Sequence, residues 1–184
     1  MKKLLALVLA TTMLLSCTAA LADIHGLGSV TSYNAGTAAA DGNDGKQQIN
    51  TTMCAVALDD DLKITFVKFD VAQNDVVWND KGEPVVDPAT AKTPTKDQKK
   101  EEYGMKARSA QLGIITVNET PGGEWYEQAA FLEEYCIGRT LDEIVEGIAM
   151  NEDNYPTGAD VIVGITIHVN EFIEALSIAI ENAK

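Results

Sequence analysis

Imidazole and thiol chemistry is scarce in this chain. Its 184 residues include only two histidines, His25 and His168, and three cysteines. Metal centres built on clustered His and Cys, and dyads that set an imidazole beside a nucleophile, have little to draw on. Neither histidine lies in a recognisable nucleophile motif, so the expectation is a protein without catalytic residues, not an enzyme. Positive charge is the second scarcity. Fourteen Lys and Arg stand against 28 Asp and Glu, a net charge of −14. A surface this acidic repels phosphate backbones at long range, which excludes nucleic acid as a partner, and it resists self-association. Apart from the N-terminal stretch, no apolar run approaches the roughly 20 residues needed to span a bilayer.

The apolar stretch that is there carries the first positive statement. Lys2 and Lys3 precede an apolar run from Leu4 to Leu15 and a small-residue segment ending Ala20-Leu21-Ala22. That order is a secretory signal, with cleavage expected after Ala22 and the mature protein secreted or held at the outer face of the cell membrane. An alternative uses Leu14-Leu15-Ser16-Cys17 as a lipobox, which makes a lipid on Cys17 the chain's only membrane attachment. Loss of Lys2 and Lys3 takes the net charge from −14 to −16. Residues 23–184 form a single domain, since no repeat or linker interrupts them and they are long enough for a core. Two cysteines remain, Cys54 and Cys136. Export permits a disulfide between them, and two buried thiols packing as small apolar groups is the other reading.

Along the mature chain, Gly28 to Ala40 reads as a strand and Asp41-Gly42-Asn43-Asp44-Gly45 as a turn. Gln48 to Leu58 alternates polar and apolar residues, and Leu62 to Val71 is β-branched and aromatic. With Asp59-Asp60-Asp61 between them they make an antiparallel hairpin. Asn74 to about Thr95 is a long proline-containing loop, with Val76-Val77-Trp78 and Val85-Val86 as a small extra hairpin. Lys96 to Gly104 is helical in part. Glu124 to Ile137 has helical spacing and Gly138 ends it. Thr140-Leu141-Asp142-Glu143 is a capping box that starts a helix to about Met150. Val161 to Val169 taken alone resembles a strand, yet a helical stripe through Ile165, Val169, Phe172, Leu176 and Ile180 runs into a final helix over Asn170 to Ala183. The fold class is α+β, a small antiparallel sheet packed with helices.

Each candidate site has a competing structural role. Asp41 to Gly45 begins like a calcium loop, but Gly45, Lys46 and Thr52 stand where acid, glycine and glutamate belong, so a turn is expected and no metal. Lys92, Lys96, Lys99, Lys100, Lys106 and Arg108 concentrate half of the mature basic residues in one segment. They suit a phosphate or acidic ligand, or else a solvated helix with Lys–Glu pairs to Glu101 and Glu102. Trp125 and Tyr126 at a helix start allow one ring to stack on a planar ligand while the other packs inward. Thr157-Gly158-Ala159-Asp160 before an apolar stripe suits a phosphate at a helix N-terminus, or plain capping by Thr157. Asp160 favours capping, because a carboxylate already sits at the positive end of the dipole.

Taken in order, the Gly- and Thr-rich opening, the strand hairpin and the closing Thr157-Gly158-Ala159 segment feeding an apolar helix resemble the extracytoplasmic FMN-binding domain. That family occurs in the C subunit of sodium-translocating NADH:quinone reductase, the G subunit of Rnf complexes and secreted flavin lipoproteins of Gram-positive bacteria. Lys99-Lys100-Glu101-Glu102-Tyr103-Gly104-Met105, Glu124-Trp125-Tyr126-Glu127-Gln128 and Gly138-Arg139-Thr140 resemble a secreted Firmicutes subgroup related to it. The family motif reads Ser/Thr-Gly-Ala-Thr-x-Thr-Ser, its last Thr esterified to the FMN phosphate. Here Asp160, Ile162 and Val163 depart from it, and Ile162 has no hydroxyl to form the ester. The resemblance therefore implies an FMN-binding-like fold, a helix from about Thr157 to Ala183, and FMN or another small ligand held non-covalently by Thr157, Gly158, Ala159, Lys99, Lys100, Trp125 and Tyr126. Extracytoplasmic electron transfer follows if the ligand is a flavin. The alternative is a cofactor-free surface protein that kept the fold and binds an extracytoplasmic protein partner.

Overall fold

β-Branched and alternating residues in the first third of the chain build a sheet, and the later segments cover part of it. In the computed structural model, residues 24–87, 91–111, 123–152 and 167–183 are described. The strands are β1 (Ile24–Tyr33), β2 (Gly45–Leu58) and β3 (Ile64–Trp78). They pair antiparallel in the order β1-β2-β3. Helix α1 (Lys96–Lys99), a 3-10 turn (Lys100–Tyr103), α2 (Met105–Gln111), α3 (Trp125–Cys136), α4 (Leu141–Gly147) and α5 (Asn170–Glu181) follow. The architecture is α+β, and the expected antiparallel hairpin is its centre.

The turns explain the register. Ala40 and Asn43 exchange both backbone hydrogen bonds, at 3.2 and 2.9 Å, around Asp41 and Gly42, whose φ angles are 54° and 81°. Two left-handed residues in succession favour Asp-Gly, so the segment that resembled a calcium loop is a tight turn leading into β2. In the next connection the Asp59 carboxylate accepts the N–H groups of Asp61 at 3.0 Å and Lys63 at 2.9 Å, the local bonding that makes Asp a turn former. β1 begins earlier than Gly28 and stops at Tyr33, short of Ala40. β3 runs on to Trp78, absorbing Val76-Val77-Trp78. The small extra hairpin is thus a bridge, with Trp78 opposite Pro84 and the Val85 N–H donating to the Val77 carbonyl at 3.0 Å.

One sheet face changes character along its length. Gly28, Cys54 and Phe69 sit abreast, then Val30, Thr52 and Val71, then Ser32, Asn50 and Gln73. The apolar half forms the core with α3, α4 and α5, through Val56, Phe69, Leu132, Ile144 and Leu176. Phe172 of α5 meets Phe69 edge-on at 5.3 Å and lies tilted against Trp125 at 6.1 Å between ring centroids. Helix α5 lies directly on the β1 backbone. A Cβ at Gly26 or Gly28 would strike the carbonyl oxygens of Ala179 and Ala175. Cys54 and Cys136 are buried free thiols in this core, both pushed up to about 12, chiefly by burial.

The outer edge of β3 is covered as well. Glu133 of α3 accepts the Phe69 N–H at 2.9 Å and pairs with Lys68 at 3.1 Å. Lys68 also reaches Asp97 at 3.2 Å, whose N–H donates to Asp70 at 3.1 Å. Covering an edge in this way removes a template for unwanted strand pairing. Gly138, with φ of 77°, ends α3 as expected, and its N–H donates to the Ile64 carbonyl at 2.8 Å. Thr140 caps α4 by accepting the Glu143 N–H at 3.3 Å while Glu143 accepts the Thr140 N–H at 2.8 Å.

The C-terminal helix differs from the continuous helix over Thr157 to Ala183. Helix α5 starts at Asn170, and Ile167, His168 and Val169 are outside it. Val169 has φ of −108° and ψ of −8°, and β-branched residues such as Ile167 and Val169 are poor at carrying a helix through. Thr157, Gly158, Ala159, Asp160 and Ile162 lie outside the described residues, as do Cys17 and the expected signal segment.

Candidate ligand-binding cleft

Where the sheet face turns polar, the helices do not close over it. Ser32, Gln48, Asn50, Thr52 and Gln73 of the strands floor a cleft of about 670 Å³. Its walls are Lys96 of α1, Tyr103 of the 3-10 turn, Met105 and Arg108 of α2, Trp125 of α3, and Asn170, Glu171 and Phe172 at the start of α5. The cause is local sequence. Gln48, Asn50 and Thr52 occupy alternate positions of β2, the same face that Cys54, Val56 and Leu58 carry into the core.

Several of these side chains are held in place by one another. The Thr52 hydroxyl donates to Glu171 Oε2 at 2.9 Å, and the Tyr103 hydroxyl donates to Gln73 Oε1 at 3.0 Å. Glu124 is buried and accepts the N–H groups of Met105 at 2.9 Å and Lys106 at 3.3 Å. That carboxylate ties the start of α2 to the start of α3, where two free helical donors need an acceptor. Thr95 caps α1 through the Gln98 N–H at 3.3 Å. This places the following Lys96 so that its ammonium lies 5.0 Å from the Tyr103 ring centroid and 5.9 Å from that of Trp125.

Two groups in the cleft lack ordinary partners. Asn50 Oδ1 is buried and accepts no hydrogen bond. A buried amide oxygen left unpaired costs about 1–3 kcal/mol, so an acceptor in this state takes a donor from an ordered water or, once the amide turns into the cleft, from a ligand. Lys96 is the other. Among the described residues no carboxylate lies within ion-pair distance of it, whereas Lys46, Lys68 and Lys100 are all paired. Burial pushes its amine down to about 8, with Glu171 acting against the shift and Lys99 adding to it. Burial likewise raises the Tyr103 hydroxyl, opposed by Lys99 and Arg108.

Of the residues expected to hold a ligand, Trp125 lines the cleft while being 2% exposed, so it both packs and forms a wall. Lys99, Lys100 and Tyr126 are not among the lining residues. The Lys99 ammonium is 6.0 Å from the Tyr103 ring. Lys100 pairs with Asp97 at 2.9 Å and lies over the Tyr126 ring at 4.7 Å. The Tyr126 hydroxyl donates to Glu101 at 2.9 Å, a bond that raises it to about 12. Asn50, Gln73, Tyr103 and Glu171 were not legible as a site. The available signal was the pair of amides in β2 at positions whose period should have delivered apolar residues. Among the described residues no three His, Cys, Asp or Glu side chains group as metal ligands.

No family model matches the chain, and no solved structure matches it. Among curated proteins it is similar to chlorophenol reductase of Desulfitobacterium hafniense, with 33% identity over 138 residues, 68% of this chain. The chain spans 37% of the length of that relative.

Proposed function

We propose that this chain is a non-catalytic, extracytoplasmic binding domain whose cleft takes a small planar ligand without a covalent bond, FMN being the ligand that suits it best. The observation that carries the reading is the buried, unpartnered Asn50 Oδ1 in a cleft walled by Trp125. An imide N–H at the edge of a flavin ring supplies the missing donor, and Gln48 and Gln73 offer amides to its carbonyl edges. Lys96 and Arg108 give the cleft positive groups that suit a phosphate. A volume of about 670 Å³ lies within the roughly 300–1,000 Å³ of ordinary small-ligand sites. A flavin held there supplies electron-transfer chemistry, while the protein's part is to bind, orient and exclude water. The similarity to a protein named a reductase accords with a redox ligand.

Titration of mature protein into FMN, followed by quenching of flavin fluorescence, tests this directly. Saturable one-to-one quenching is expected, and Asn50→Leu should weaken it about tenfold or more, since the ligand donor then loses its acceptor. No saturation up to about millimolar protein, a Kd worth only ~4 kcal/mol, overturns the flavin reading.

One observation favours a second reading, a cofactor-free surface protein with a protein partner. The opposite sheet face displays Leu27, Tyr33 and Phe66 at 72%, 69% and 52% exposure. Large apolar side chains left exposed on one sheet face suit an interaction surface. Unimpaired partner capture by a protein that binds no flavin would favour it.

A further inference from the structure

Some lysines of this acidic chain pair with carboxylates. Lys46 pairs with Asp75 at 2.7 Å, Lys68 with Asp97 and Glu133, and Lys100 with Asp97 at 2.9 Å. Lys96 has no such partner among the described residues, although 28 Asp and Glu are available in the sequence. The nearest acidic influence, Glu171, is engaged by the Thr52 hydroxyl at 2.9 Å. An ammonium partly removed from water and left without a counter-ion is destabilised, and the faces of Tyr103 and Trp125 offset only part of that loss. A built cleft with an unpaired cation between two rings is the arrangement that a planar anion completes.

We propose that Lys96 makes the cleft selective for ligands carrying a negative charge on or beside a planar ring, with that charge seated against its ammonium. The proposal rests on the cleft being a small-ligand site, and it names the chemical class rather than the flavin. Glu171 of α5 and Lys99 of its own helix act on the Lys96 charge, the Tyr103 and Trp125 rings lie beside it, and Arg108 of α2 and His168 share the cleft lining. Lys46 of β2 lines the cleft with its charge paired to Asp75 of β3 at 2.7 Å, and Gln73 of β3 is neutral. The amine is charged below about pH 8 and loses its proton above it. An anion that binds the charged form is therefore held tightly below that value and released above it, whereas a neutral ligand is indifferent to it.

Benzoate and benzamide test this, being planar and alike in size but different in charge. Ligand-detected NMR titrations of the mature chain should give benzoate a preference of about tenfold or more at neutral pH. The preference should fall by up to about tenfold per pH unit above the break near 8. Lys96→Met should abolish it. Lys96→Arg should keep it while removing the break, because guanidinium stays charged. Equal binding of the two probes, binding of neither, or a preference that survives Lys96→Met overturns the proposal. If FMN fails to bind while benzoate is preferred through Lys96, the flavin reading falls and this one stands. If FMN binds while benzoate and benzamide behave alike, the reverse holds.

Discussion

An ammonium drawn out of water is stabilised in its neutral form, and Lys96 carries that penalty for the whole fold. In the folded chain its proton leaves near pH 8, against an ordinary value of 10.5. Between those values the unfolded chain holds more protons, so this group makes stability rise with pH. Its charge is destabilising in full below about 8, and the penalty is relieved by about 10.5. Lys96→Met should therefore stabilise the protein by about 1–3 kcal/mol at neutral pH, the gain fading toward the upper value. Urea unfolding curves across this range measure it, and a destabilised Lys96→Met protein at neutral pH would contradict it. The sequence showed Lys96 as one basic residue among six and offered no means of separating it from Lys99 or Lys100. That difference depends on which residue meets Asp97 and which meets two rings. Cys54 and Cys136 illustrate the same limit. Spacing left both bridge and thiols open, while the fold keeps both as buried thiols whose raised values make them poor nucleophiles.

At the scale of elements, local chemistry was legible wherever a short motif determined geometry. The Thr140 capping box, the Gly138 stop, the Asp41-Gly42 turn and the β2–β3 hairpin all depend on neighbours within a few residues. Strand ends were not legible, because β1 extends to Ile24 by pairing with Leu58, far along the chain. The join of α5 to β1 was hidden for the same reason. Gly28 was legible as the start of a strand and Gly26 was not placed in one, and nothing in the sequence showed that both admit the α5 backbone at Ala175 and Ala179. Gly28→Ala should destabilise the fold by about 2 kcal/mol or more, since the obstruction is backbone rather than a yielding side chain. A fall in thermal midpoint of several degrees measures it, and an unchanged midpoint would show that α5 does not rest on β1. Helix α5 also sets the cleft's far wall, because its first turn carries Glu171 and Phe172. A shift of α5 along β1 would move that wall against the Asn50 floor.

Across the whole molecule, charge and shape are arranged in opposite senses. The expected mature chain has a net charge of −16 once Lys2 and Lys3 are removed, yet its polar cleft is lined by Lys46, Lys96 and Arg108. An acidic exterior slows the approach of anions, and a local basic lining is what allows one to stay, an effect that salt should favour by screening the exterior first. The sheet that supplies the core at one end supplies the cleft floor at the other, so binding and stability share strands but separate their residues. The resemblance to FMN-binding domains directed attention to a ligand site and to Trp125, whereas its phosphate-holding turn lies outside the described residues. The proposed binding sets a planar ligand in this cleft against Asn50. Amide NMR spectra of the mature protein with and without FMN test it most directly. Saturable shifts are expected at the Asn50 and Gln73 side-chain amides and at Lys96, Tyr103, Trp125 and Glu171, with Leu27 and Phe66 on the opposite face unmoved. Shifts confined to that opposite face, or none at all, would contradict it.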